Sequence, residues 1–464
     1  MKFLPSLRNM LQPVNRLPPE IISRVAQHAS RAGIDTRWIV PLTHVCRYWR
    51  ESIISTPEVW TSISSYQKGL AILSLERSKA APLQLFLDIG TLRQDPELGD
   101  LILSHIQNTE TLMFGDFPTI EDLTQTLPNF PQSMPNLRSL TLERSRDDPE
   151  WDSSTDPFES FPHTLRSLWL MDIPLYPSFL KLRTLTKLFL QYNEVRVSLD
   201  AVLDVFEENR SLESVNLGIE SNESPICTPQ RRVAIMSRLQ HWSIACRDAM
   251  VIRTLISSVA LQSGARLGIN LRGENGLNDI LSGISMTHLS NLSSPTFMEY
   301  HSNSRGIRLV GPNGSFSYHG GWPPAAPFAE LPILPLTNVQ ELHLVHGDPS
   351  IAFHPSLFPA LKTLTIGWWH TDIPRLFFAL FPNPSSFSTL KTIGFLDCVL
   401  TEEFMEELMW FASDRKNTTS AWLHRVVIVH PYGKFPTADS IYKLRSHVPV
   451  VDIQLGRSLP KDLT

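Results

Sequence analysis

The sequence predicts an α/β fold in which a short helical module at the N-terminus is followed by an irregular repeat solenoid with a curved parallel sheet. Three observations carry this. Apolar residues in the first sixty positions recur at helical spacing behind prolines. A leucine-type motif ending in a period-two alternation recurs nine times further on, and helix-like stretches lie between its copies.

At 464 residues the chain exceeds what one compact core usually holds, so two or more units or an elongated array are expected. A composition of 42% hydrophobic and 19% charged residues is that of a folded protein. The net charge is −5 and no long basic run occurs, which argues against nucleic acid as the main partner. No stretch approaches the roughly 20 apolar residues that cross a bilayer. The opening "MKFLPSLRNMLQPVNR" has no secretory apolar core. The expectation is an intracellular protein of cytoplasm and/or nucleus, with no membrane partner. Cys46, Cys227, Cys246 and Cys398 lie far apart without a C-x-x-C pair, so they read as reduced thiols. The sequons at Asn222, Asn291, Asn313 and Asn417 are discounted, because glycosylation needs a secretory route.

In the N-terminal module, Pro18 and Pro19 suit a first helical turn, and Ile22, Val25, Ala26 and Ala29 continue it to about residue 30. "SRAGIDTR" (30–37) breaks the pattern. Pro41 then starts a second helix through Leu42, Val45, Cys46, Trp49 and Ile53, which Pro57 stops just before Trp60. Fewer than fifty residues cannot bury this much apolar area alone. Either the rest of the chain or a partner must cover it, and periodicity alone also permits a helical cap on the following domain.

Leu17-Pro18-x-Glu20-Ile21, then Val45-Cys46-Arg47-x-Trp49-Arg50, then Pro57-x-x-Trp60 resemble the F-box motif in order and spacing over residues 14–62. "WIVPLTHVCRYWR" is similar to the variant found in many fungal F-box proteins, although the linker before it is longer than in the most compact members. The resemblance implies docking on the Skp adaptor of a cullin ubiquitin ligase. It implies contacts from Leu17, Pro18, Ile21, Leu42, Val45, Trp49, Pro57 and Trp60, the two tryptophans being the strongest candidates. Some of these must hold the module together, since Val45, Cys46 and Trp49 share one face of the expected helix. Six Arg against four acids give residues 14–62 a charge of +2, against −9 for 63–464, which suits an acidic partner.

After a bridging segment (63–108) the repeat motif begins. Its copies are "NLRSLTL" (136–142), "TLRSLWL" (164–170), "TLTKLFL" (184–190), "SLESVNL" (211–217), "RLQHWSI" (238–244), "NVQELHL" (338–344), "ALKTLTI" (360–366), "TLKTIGF" (389–395) and "WLHRVVI" (422–428). Consecutive copies are spaced by 28, 20, 27 and 27 residues, then by 22, 29 and 33. A degenerate copy, "TETLMF" (109–114), leads the array. Each copy ends as a short strand with two side chains inward and three outward, and "SLDAVLDVFEENR" (198–210) and "TEEFMEELMWFAS" (401–413) are return helices. Length and pattern resemble leucine-rich-repeat proteins, without the Asn that regular copies carry after the strand. The array is expected over 109–455, with tails at 1–13 and 456–464. The pattern weakens at 245–338, where only "ARLGINL" (265–271) suggests another strand. There "IRLVGPNGSFSYHGG" (307–321) reads as a hairpin with an Asn-Gly turn interrupting the array, and "GWPPAAPFAELPILP" (321–335) as a rigid connector. This insertion serves either recognition or packing.

No nucleotide-binding, zinc-protease or nucleophile-elbow motif occurs, so no enzyme activity and no cofactor are expected. His343 and His346, with His354 and His370 nearby, read as solvent-facing histidines, because an i, i+3 pair on a strand points to opposite faces; no metal is expected. Glu402-Glu403 and Glu406-Glu407 fit the solvated side of a helix whose apolar side includes Phe404, Leu408 and Phe411. A target-binding surface is expected on the outward strand row, where Ser167, Trp169 and Met171 stand beside Lys187, Phe189 and Gln191. The alternative is that loops or the insertion cover this row. The expected function is substrate recognition in a Skp–cullin–F-box ubiquitin ligase, bringing an unknown protein target to ubiquitin-dependent degradation. A non-degradative repeat scaffold is the alternative.

Overall fold

The computed structural model describes residues 12–31, 38–117, 122, 125, 134–144, 156, 158, 164–193, 198–220, 233–273, 276–284, 288–301, 306–320, 331–345, 355–368, 373–381, 386–418, 422–429 and 436–454. The protein is α/β, and among the described residues it has a large, mostly parallel sheet of 17 strands. Its chain divides into two compact units, Met1–Leu212 with Pro225–Cys227 and Glu213–Ser224 with Thr228–Thr464.

The first unit opens with α1 (Pro19–Arg31), α2 (Ile39–Thr43) and α3 (Arg47–Ile54), then a 3-10 turn at Pro57–Trp60. The single second helix expected from Pro41 to Ile53 is therefore two helices. The Thr43 hydroxyl donates to the Val40 carbonyl at 2.7 Å, and Arg50 Nε donates to the Thr43 carbonyl at 2.9 Å, which satisfies the end of α2 early. Cys46 is extended (φ −161°) at the N-cap of α3, so Val45 and Cys46 do not share a helical face with Trp49. Pro57 heads the 3-10 turn, where its missing N–H costs nothing.

The chain continues through β1 (Ser62–Ser64), α4 (Lys68–Ser78), β2 (Leu83–Asp88), α5 (Ile89–Gln94), α6 (Pro96–His105), β3 (Thr109–Phe117), β4 (Ser139–Arg144), β5 (Ser167–Met171), α7 (Pro177–Leu180), β6 (Lys187–Tyr192) and α8 (Leu199–Glu208). Strands β1 to β6 pair in parallel, in chain order. The bridging segment thus already contributes strands, and the sheet starts at Ser62. Asp88, Asp95 and Ser198 accept backbone N–H bonds at the starts of α5, α6 and α8, which fixes where each strand hands over to a helix.

The second unit contains β7 (Ser214–Ile219), β8 (Ala234–Met236), β9 (His241–Cys246), α9 (Ala249–Ser257), β10 (Val259–Leu261), β11 (Arg266–Leu271), α10 (Leu277–Leu281), β12 (Phe297–His301), β13 (Gly306–Gly311) and β14 (Gly314–Gly320). It ends with β15 (Glu341–Val345), β16 (Thr363–Gly367), α11 (Ile373–Leu380), β17 (Thr392–Leu396), α12 (Glu402–Thr418), β18 (Arg425–Val429), α13 (Ala438–His447) and β19 (Val450–Gln454). The spatial order is β7-β9-β11-β14-β13-β12-β15-β16-β17-β18-β19. Among the described residues only the β12–β13 and β13–β14 pairs are antiparallel. β8 and β10 form a separate parallel pair.

The hairpin expected at 307–321 forms, but it does not interrupt the array. β14 pairs with β11 and β12 pairs with β15, so the meander lies inside the sheet. Pro312 and Asn313 make its turn. Gly314 opens β14 at φ +125°, where a Cβ would lie 2.2 Å from the Ala265 carbonyl oxygen. Of the expected connector 321–335, residues 321–330 lie outside the described residues. Leu331–Ile333 form a 3-10 turn.

All nine motif copies end in strands: β4, β5, β6, β7, β9, β15, β16, β17 and β18. The leucines of a copy, such as Leu137, Leu140 and Leu142, are fully buried, each worth about 1.5–3 kcal/mol against exposure. A hydroxyl just ahead of the leading leucine reaches back one copy. Thr164, Thr184, Ser211 and Thr389 donate to the carbonyls of Leu137, Leu165, Leu185 and Leu361 at 2.6–2.8 Å. In place of the missing Asn, the residue after the strand turns left-handed in three copies: Asp172 (φ 56°), Trp368 (φ 55°) and Asp397 (φ 51°). Each donates its N–H to the next strand, at Gln191, Leu396 and Val429.

The expectation of three outward residues per strand holds for β4 to β6 and fails for β15 to β18, whose last four residues are all buried. "VVIV" (426–429) is a continuous apolar run, the pattern of a strand covered on both faces. His343 is consequently not solvent-facing. It packs edge-on against Phe297 at 4.8 Å, and burial pushes its imidazole below the ordinary value, with Glu299 opposing. His346, His354 and His370 lie outside the described residues. On α12, Phe404, Leu408 and Phe411 face the core as expected. Glu402 is more than solvated, since it accepts from Thr437 N at 2.9 Å and from the Ser440 hydroxyl. From the same helix the fully buried Arg415 donates to the carbonyls of Ser386, Phe387 and Leu390 at 2.6–3.1 Å, and burial lowers its pKa to about 10.

Candidate functional site

Two surfaces of the first unit carry the residues singled out in the sequence. In the helical module, Ile22, Ala26, Ile39, Trp49, Ile53, Val59 and Trp60 form one core, with Leu17, Leu42 and Cys46 against it and Leu70 and Leu73 added from α4. The module therefore has an interior, closed on one side by α4. Trp49 is 6% and Trp60 1% exposed, so the two tryptophans expected to lead the contact are its keystones instead. Trp60 donates its indole N–H to the Ile53 carbonyl at 2.9 Å and carries the Arg77 guanidinium over its ring at 4.4 Å. A buried ring with a satisfied N–H is a stabilising group, worth about 3–5 kcal/mol on truncation.

Of the other six, Ile21 (39% exposed), Val45 (47%) and Pro18 face outward, while Leu17, Leu42 and Pro57 are half-buried. The structure adds exposed apolar residues that the motif did not single out: Val25, Val40, Tyr48, Ile54 and Trp38 at 62%. Val25 stands one turn beyond Ile21 on α1, so the pair forms an outward stripe. Tyr48 donates its hydroxyl to the Leu17 carbonyl at 2.8 Å, which ties the start of the module to α3. Trp38 is the N-cap residue of α2, beside the fully buried Ile39.

The second surface is the outward row of β1 to β6. Register places Ser64, Phe86, Met113, Thr141, Trp169 and Phe189 opposite one another across six strands. Trp169 and Phe189 stack at 4.5 Å with their planes 14° apart, and Trp169 remains 42% exposed. Lys187 is exposed, and Met171 and Gln191, opposite each other, are half-buried. The five residues expected to meet a target are thus brought together on adjoining strands. Asn193 donates its side-chain N–H to Asp172 at 2.8 Å and accepts from the Gln191 amide at 3.0 Å, which holds Gln191 at the edge of this row. Phe86 and Met113 extend the row; β2 has no copy of the repeat motif to announce Phe86, while Met113 falls in the degenerate copy at 109–114.

Chemically, the strand row offers apolar and aromatic area, whereas the module sets its exposed apolar residues among the exposed charges of Glu20, Arg24, Arg47, Arg50 and Glu51. Among the described residues no three His, Cys, Asp or Glu side chains group so as to hold a metal ion, and no helix is long and apolar enough to cross a membrane. The chain matches no family model and no curated protein.

Proposed function

We propose that the chain is a substrate-recognition subunit of a Skp–cullin–F-box ubiquitin ligase. In this reading residues 14–62 are an F-box that docks on the Skp adaptor and, through it, a cullin. The strands that follow are a leucine-rich-repeat-like solenoid with a curved sheet that holds a protein target. Ubiquitin transfer belongs to other subunits. The chain supplies proximity and needs no cofactor, and it works in the cytoplasm and/or nucleus. The observation that carries the reading is a helical module whose core, joined by Leu70 and Leu73 of α4, still leaves Ile21, Val25, Val40 and Val45 outward. Apolar groups left outside a finished core suit a partner's groove.

Co-purification from eukaryotic cells tests it. Wild type should retain the adaptor and cullin, whereas Ile21→Asp with Val45→Asp should lose both while keeping its circular-dichroism spectrum, since neither side chain belongs to the core. Wild type that captures neither subunit sinks the proposal and leaves the module as a cap. Adaptor capture without ubiquitination of any bound protein would favour the non-degradative scaffold.

A further inference from the structure

The second unit carries a groove of about 770 Å³ on the outward face of β7, β9, β11, β14 and β13. Its floor is one register line, Asn216, Ser243, Gly268, Ser317 and Arg308. Gly268 keeps the floor open, because a Cβ there would stand 3.3 Å from Ser317 Oγ and 3.8 Å from Ser243 Oγ. Arg266 rises two residues away along β11, and so two strands across and about 12 Å from Arg308. Among the described residues no Asp or Glu lines the groove. Arg308 leans toward Glu299 at 3.6 Å on the far side, while Arg266 is exposed and has no ion pair among the described residues.

We propose that this groove binds a ligand carrying a phosphate monoester. The exposed Arg266 guanidinium, two serine hydroxyls and an asparagine amide line one space from four strands, and Arg308, paired with Glu299, borders it. A planar carboxylate is satisfied by one bidentate arginine, whereas a phosphate has three terminal oxygens and accepts from several directions at once. Arg266 is the principal anchor, and the hydroxyls of Ser243 and Ser317 with the Asn216 amide take the remaining oxygens. A groove of this volume holds either a small organic phosphate or the side chain of a phosphorylated protein segment. The proposal does not depend on adaptor docking, which adaptor capture reports separately.

The test is calorimetric titration of the full chain with phenyl phosphate, with phenol as control, and with a short peptide bearing one phosphoserine beside its unphosphorylated form. Phenyl phosphate should bind saturably and phenol should not. Arg266→Ala should weaken binding roughly tenfold or more, the loss of one charge-assisted contact. Ser317→Asp, which places a like charge on the floor, should abolish it with an unchanged circular-dichroism spectrum. Tighter binding of the phosphopeptide than of phenyl phosphate supports the proposal with a protein source, and the reverse order supports it with a small-molecule source. Phenol binding as well as phenyl phosphate overturns it, as does undiminished binding by both variants.

Discussion

The middle outward positions of β4, β5 and β6 are Thr141, Trp169 and Phe189, while those of β16, β17 and β18 are Thr365, Gly394 and Val427. The repeat register is the same, and the burial is opposite. The bulky aromatic pair is left partly open, whereas Thr365 and Val427 are sealed. A Cβ on Gly394 would already sit 3.2 Å from the Thr365 hydroxyl. The comparison teaches that the motif sets where a strand runs and which side chains enter the helix-covered core. What happens on the other face is decided copy by copy, by side-chain size and by what covers it.

The sharpest way to break this comparison is to place a carboxylate at each position. Val427→Asp buries an unpaired charge and should destabilise the protein by about 4 kcal/mol or more. Trp169→Asp should cost roughly 1 kcal/mol, mostly lost stacking. Equal losses in urea denaturation would mean that the two faces are equally covered. A smaller effect probes what anchors the closed region: Arg415→Met keeps the stem but strands three carbonyls, and should cost about 2–4 kcal/mol in the same assay.

Where the two regions share a device, they should respond alike. Thr184→Val in the first unit and Thr389→Val in the second each remove one hydroxyl bond between copies, and each should lower stability by about 1 kcal/mol. A much larger loss at one of them would show that the link between copies is not equivalent in the two regions. The smallest effect concerns pH. The folded pKa of His343 is depressed below its unfolded value of about 6.5, so its contribution is fully present above that value and is lost as pH falls through the folded value. Thermal melts at about pH 7.5 and about 5.5 should therefore converge in His343→Leu relative to wild type. A residual slope should remain from His319, whose pKa is also lowered by burial and by nearby His301.

Much of the architecture was legible because it rests on period-two alternation. The buried leucines of all nine copies name their strands, and Ser198 and the apolar face of α12 name their helices. The split between α2 and α3 was not legible, since Val45 and Cys46 fit a continuous helical stripe. Only side-chain bonds from Thr43 and Arg50 to backbone carbonyls show why the helix stops. The strands of 63–108 escaped because "LQLFL" alternates without a leading leucine. For the candidate site, Trp169 and Phe189 fell where alternation put them. Trp49 and Trp60 did not, because a motif reports which residues recur together and says nothing about which side of a small core they occupy. The burial of His343 depended on neighbours distant in sequence, which no local pattern contains.

The meander of β12, β13 and β14 has a consequence of parity. Crossing it reverses strand direction twice, so β15 runs the same way as β11, and every later strand keeps its inward side inward. Extra strands can therefore enter this sheet two reversals at a time, as a cassette, without renumbering anything downstream. A single added antiparallel strand would turn each following copy end over end and place its return helix on the wrong face. Insertions and engineered grafts at 297–320 should accordingly be tolerated as whole hairpins and rejected as single strands.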